Sequence, residues 1–134
     1  MKAALPSFSN RPILANIIEV DDKHEFNTHA FHVDEDDNIV YDEIPIGIIP
    51  ESCGAKLEYD EDKEKTYCVV NGYVFEEYAP LAVEILEREE ECPCSVELSV
   101  RELSYDSKEK VLNIDDFFFS GVTILGKTED GKDV

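Results

Sequence analysis

Ser95, three histidines and four cysteines are the side chains in this sequence whose types and spacing invite a chemical reading. Ser95 stands near the start of CPCSVELSV, Cys92 to Val100. The alternation of that stretch sends Ser95, Glu97 and Ser99 to one face and Val96, Leu98 and Val100 to the other, so it reads as a buried strand with a hydroxyl at its head. A serine hydroxyl is inert until a neighbouring base takes its proton, and the base needs a third group to fix its tautomer. The bases on offer are His24, His29 and His32, all within HEFNTHAFHV, which reads as one strand. There Phe26 shares a face with His24 and His32, while His29 and Phe31 take the opposite face.

Competing chemistries find less support. Cys92, Cys94, Cys53, Cys68 and the histidines could supply four zinc ligands, but the chain lacks paired Cys-x2-Cys knuckles and its histidine spacing matches no common zinc motif. No metal and no cofactor is expected. Cysteines two apart, such as Cys92 and Cys94, seldom form a relaxed disulfide. The acidic run Asp34 to Asn38 lacks the glycine and the spaced glutamate of a calcium loop and reads as a solvated turn.

The elements that must position these groups are mostly strands. Residues 1–10 read as a tail or lead-in. PILANIIEV from Pro12 reads as a strand, followed by HEFNTHAFHV, short strands near Ile39 to Tyr41 and Ile44 to Ile49, and a hairpin of AKLEYD and TYCVVNGYVF around EDKEK. Residues 77–89 form the one clear helix, with Tyr78, Leu81, Ala82, Ile85 and Leu86 at helical spacing and Pro80 in its first turn. Strands then follow over Cys94 to Leu103, KVLNI, and Phe117 to Gly126. The run Phe117 to Phe119 implies a strand buried on both faces, or one with the core on one side and the helix on the other.

With about seven to nine strands and one good helix, the expected fold is mainly β with α (α+β): an antiparallel β-barrel or strongly curved sheet with the principal helix packed on or across it. The 134 residues, 43% hydrophobic, suit one domain over 1–126, with 127–134 a flexible C-terminal tail or linker start. The net charge of −20 comes from 32 acidic residues against 12 Lys and Arg, which argues against nucleic acid or an anionic membrane surface and favours basic partners. No apolar run reaches the length of a membrane span and the N-terminus does not read as a secretory signal. An intracellular protein with reduced cysteines is expected.

The order of features resembles the prohead (capsid maturation) serine proteases of tailed phages and prophages, which are related in fold to the herpesvirus assembly proteases. The resemblance rests on NTHAF at 27–31, PIG at 45–47, the strand TYCVVNGYVF, the helix EEYAPLAVEILERE, CSVELSV at 94–100 and SGVTILG at 120–126, and spans roughly residues 12 to 126. It implies a herpesvirus-assembly-protease-like fold, Ser95 as nucleophile and His29 as general base, with His32 the second choice. Gly121 stands near the position where the phage enzymes carry an acid, so the third member is open among Glu97, Asp116 and a second histidine, His24 or His32. Arg101 is six residues beyond Ser95, about 20 Å by strand rise, too far to be an oxyanion donor, which leaves backbone groups near Gly121.

What the resemblance implies about function is an endopeptidase that cleaves scaffold and coat-protein segments, and in some cases itself, through an acyl-enzyme. The setting would be the assembling prohead in the host cytoplasm, and a homodimer is an implied assembly. The alternative is a protease-like structural protein of the capsid core that has kept the fold and lost the chemistry. A third reading is an acidic interaction module unrelated to phage.

Overall fold

The computed structural model describes residues 2–126; the tail expected over 127–134 lies outside the described residues. The chain opens with a 3-10 helix, Lys2–Phe8, followed by β1 (Arg11–Ala15), β2 (Ile17–Val20), β3 (Lys23–Phe26), β4 (Phe31–Val33), β5 (Ile39–Tyr41) and β6 (Ile44–Ile49). After these come β7 (Lys56–Asp60), β8 (Lys65–Val69), β9 (Tyr73–Val74), the helix α1 (Pro80–Glu89), β10 (Cys94–Asp106) and β11 (Val111–Ile124).

The expected barrel is not formed. The described strands make an open five-stranded sheet, ordered β10-β11-β1-β6-β9, and three separate two-stranded hairpins, β2–β3, β4–β5 and β7–β8. The central sheet is mixed, because β1 runs parallel to β11 and antiparallel to β6. A likeness to the assembly-protease fold is therefore not established by this architecture. The physical reason lies in the turns. Asp21 and Asp22 both adopt positive φ, 50° and 65°, between the paired residues Val20 and Lys23. That two-residue turn folds β2 straight back on β3 before either strand can extend the main sheet. The Asp34 carboxylate accepts hydrogen bonds from the Asp36 and Asn38 N–H groups at 2.9 and 2.8 Å, which closes β4 on β5 in the same local manner.

The expected single strand HEFNTHAFHV is broken in two by residues 27–30, and KVLNI merges with FFFSGVTI into the continuous strand β11. The N-terminal residues are not a loose lead-in. Phe8 is 1% exposed and stacks on Phe119 with ring centroids 3.7 Å apart. Ser7 Oγ accepts the Phe119 N–H at 2.8 Å, which ties the first element to the last strand. Ala4 and Phe8, four residues apart, face the core that also takes Ile13, Ile46, Ile49 and Ile85. Helix α1 starts at Pro80 and not at residue 77, leaving Tyr78 84% exposed; it buries Ala82 and Ile85. Arg88 donates to the His24 carbonyl at 3.0 Å and so holds the helix against β3.

The Phe117–Phe119 run is covered in an unforeseen way. Phe119 is buried and Phe117 meets it edge-on at 5.4 Å, but Phe118 lies between the guanidinium groups of Arg11 and Arg101, 5.4 and 5.5 Å from its ring centroid, and not under the helix. These are cation–π contacts. On β10 the expected alternation holds only in part: Leu98 is half-buried against the core, but Val96 and Val100 are exposed, while Ser95, Glu97 and Ser99 are half-buried.

Candidate functional site

The β4–β5 hairpin builds the site. Phe31 pairs with Tyr41, Val33 with Ile39, and the Asp42 N–H donates to the Ala30 carbonyl at 3.0 Å, so the ladder carries one step past the strands and sets His29 opposite Glu43. His29 Nδ1 is 2.8 Å from Glu43 Oε1. The Ala30 N–H donates to the same oxygen at 3.3 Å. The Glu43 side chain is only 7% exposed, against 43% for His29. Burial, the largest influence, pushes the Glu43 carboxyl up. Hydrogen bonds from its own backbone N–H, from His29 and from the Ala30 N–H, with the attraction of the imidazole, outweigh burial together and hold it below the usual carboxylate range. An ionised Glu43 accepts the Nδ1 proton of His29, and that leaves Nε2 as the basic nitrogen.

His29 Nε2 faces β10, 3.5 Å from Glu97 Oε1. Glu97 accepts the Thr123 hydroxyl at 2.7 Å. These groups line a cleft of about 640 Å³ together with Leu14, Ala30, Phe31, Tyr41, Pro45, Leu98 and Ser120. Ser120 is aimed there by a β-bulge. Glu97 pairs with Gly121 and Leu98 with Phe119, so Ser120 has no cross-strand partner and its side chain turns towards the side that carries Glu97.

Of the residues singled out from sequence, His29 and Glu97 come together in the cleft. Ser95 is next along the same face of β10, paired with Thr123 and half-buried; it does not line the cleft, and no hydrogen bond joins its hydroxyl to His29. His32 points to the other face of its hairpin, where Nδ1 is 2.8 Å from Asp42 Oδ1. Asp116 pairs with Glu102 on the outer part of the β10–β11 ribbon and accepts from Arg101 at 3.2 Å, away from the cleft. His24 lies in β3, opposite Glu19. Among the described residues no group of three or more His, Cys, Asp and Glu is placed to hold a metal ion, and no helix is long and apolar enough to cross a membrane.

Glu43 and Ser120 were missed from sequence. Glu43 had a usable signal: a hairpin centred on Asp36 pairs residues whose numbers sum to 72, as in Phe31 with Tyr41, and the same register puts Glu43 across from His29. Ser120 had a weaker one: Gly121 inside the strand pattern hints at a bulge, but its register against β10 is set only when the two strands pair.

Over residues 1–131 the chain matches the model of the YonD N-terminal domain family, and it belongs to that family. No curated protein and no solved structure matches it.

Proposed function

We propose that this YonD N-terminal domain is a serine endopeptidase with Ser95 as nucleophile, His29 as general base and Glu43 as the group that orients the base. The observation that carries the reading is the buried Glu43 holding His29 Nδ1 at 2.8 Å, which turns Nε2 towards the strand bearing Ser95 and Glu97 on one face. A carboxylate on Nδ1 and an Nε2 that can reach the hydroxyl are the two requirements for general-base activation. In the reaction, the Ser95 Oγ proton passes to Nε2 as Oγ attacks the scissile carbonyl. The same proton then goes to the leaving amine as the C–N bond breaks, and water hydrolyses the ester. Before that, Nε2 must exchange Glu97 for the Ser95 hydroxyl, so Glu97 serves as a resting partner that a bound peptide displaces. Scaffold and coat-protein segments as substrates, self-cleavage, homodimerisation and a setting inside the assembling prohead follow from the resemblance to prohead proteases.

One observation favours the second reading, a catalytically silent capsid-core protein: Glu97, and not a hydroxyl, stands at Nε2. Treatment of the full chain with a fluorophosphonate probe separates the two. Labelling should appear in the native chain and disappear in Ser95→Ala and His29→Ala. Labelling that survives Ser95→Ala but not Ser120→Ala moves the nucleophile to Ser120, and no labelling in any form leaves the structural role.

A further inference from the structure

The β4–β5 hairpin does more than hold His29. Its two strands alternate, so Phe31 and Tyr41 form one cross-strand pair and Val33 and Ile39 the next on the same side. All four are large, apolar or aromatic, and exposed: 63%, 72%, 57% and 60%. Phe31 and Tyr41 are also walls of the cleft, so this face runs without interruption from the His29 site out to the tip of the hairpin. Single exposed apolar side chains are ordinary, but four on one side of a two-stranded ribbon, leading into a cleft, are not. The hairpin pairs with no other described strand, so both of its outer edges keep backbone groups free for an added strand.

Charge selects the occupant. Between Lys23 and Lys56 the sequence has no Lys or Arg and eight Asp and Glu, including Asp34, Glu35, Asp36 and Asp37 at the hairpin tip and Glu43 and Asp42 at its base. An acidic or phosphorylated segment would be repelled along the whole arm, and a basic one attracted. We propose that the hairpin is the substrate-recognition arm of the cleft. It would seat an extended peptide whose large apolar side chains, two positions apart, lie on Phe31/Tyr41 and on Val33/Ile39, with Lys or Arg beside them.

The inference rests on the endopeptidase reading for the word substrate, and its test measures binding and not turnover. The probe is a fluorescein-labelled nonapeptide with Phe and Val two positions apart and a Lys on either side of the pair, titrated by anisotropy against the full-length Ser95→Ala chain. Replacing the peptide's Phe and Val by Ser should weaken binding at least tenfold, as should replacing Lys by Glu, and added salt should weaken the parent peptide. On the protein, Tyr41→Ser and Ile39→Ser should each weaken binding several-fold, with circular dichroism confirming the fold. Equal binding of the three peptides overturns the proposal without any protein variant, and unchanged affinity in folded Tyr41→Ser and Ile39→Ser chains overturns it independently. Because fluorophosphonate labelling reports on the nucleophile and not on the hairpin face, loss of the catalytic reading and loss of the recognition arm are separate outcomes.

Discussion

At the scale of single residues, the choice between Glu43 and Glu97 as the orienting acid has measurable consequences. Glu43 is buried and bonded to Nδ1; Glu97 is more exposed and lies on the reactive side of the ring. Glu43→Gln keeps the volume but offers an amide that does not enforce the productive tautomer, so the rate of fluorophosphonate labelling should fall by about 10³ to 10⁴. Glu97→Gln should stay within about tenfold of the native rate, because the resting contact is not part of the reaction. Equal losses from both substitutions would count against the separate roles. Glu43 also ties stability to pH. Its carboxyl titrates lower in the folded chain than in the unfolded one, so the unfolded state binds more protons, and stability rises with pH through that window. The contribution is complete above the usual carboxylate range and is lost as pH falls through the lowered folded value. Urea titrations of native and Glu43→Gln chains should therefore differ most near neutrality and converge in acid.

At the scale of elements, two predictions test how the site is supported. Gly47, in the PIG segment, packs so tightly on β9 that a Cβ there would run into the Tyr73 carbonyl. Gly47→Ala should lower stability by about 1 to 3 kcal/mol, read as a shifted urea midpoint at unchanged slope. Phe8→Ala removes a fully buried ring stacked on Phe119 and should cost about 3 to 5 kcal/mol, a loss no loose lead-in would show. Elements held by local chemistry were legible in the sequence: the EDKEK hairpin, the acidic turn after Val33, and the helix with Pro80 in its first turn. Elements held by distant partners were not. The parallel pairing of β1 with β11 and the contact of Arg11 with the Phe118 ring each depend on segments more than 100 residues apart coming together. The site divides the same way: the histidine was visible and its hairpin register computable, whereas its approach to Glu97 depended on packing between separate sheets.

At the scale of the whole molecule, a net charge of −20 works against compaction. Raising sodium chloride from about 0.01 M to about 0.15 M shortens the screening length from roughly 30 Å to 8 Å and should raise the unfolding temperature, most strongly at neutral pH. A midpoint that stayed flat or fell would mean the ion pairs, such as Arg101 with Asp116, outweigh the repulsion. The same charge makes salt dependence a routine control for any partner, since a basic segment would be released as salt rises.

The bond between Ser7 and the Phe119 backbone joins groups 112 positions apart, and β1 lies between β6 and β11 in the central sheet. Strand β1 thus waits for β11 before its second edge is covered. Topologies of this kind close late and fold slowly, since long-range contacts must overcome loop entropy before they repay it. Glu97 and Thr123 belong to that final hairpin, so the cleft is incomplete until synthesis has passed residue 123. On the proposed reading, a nascent chain would be silent until β11 is seated.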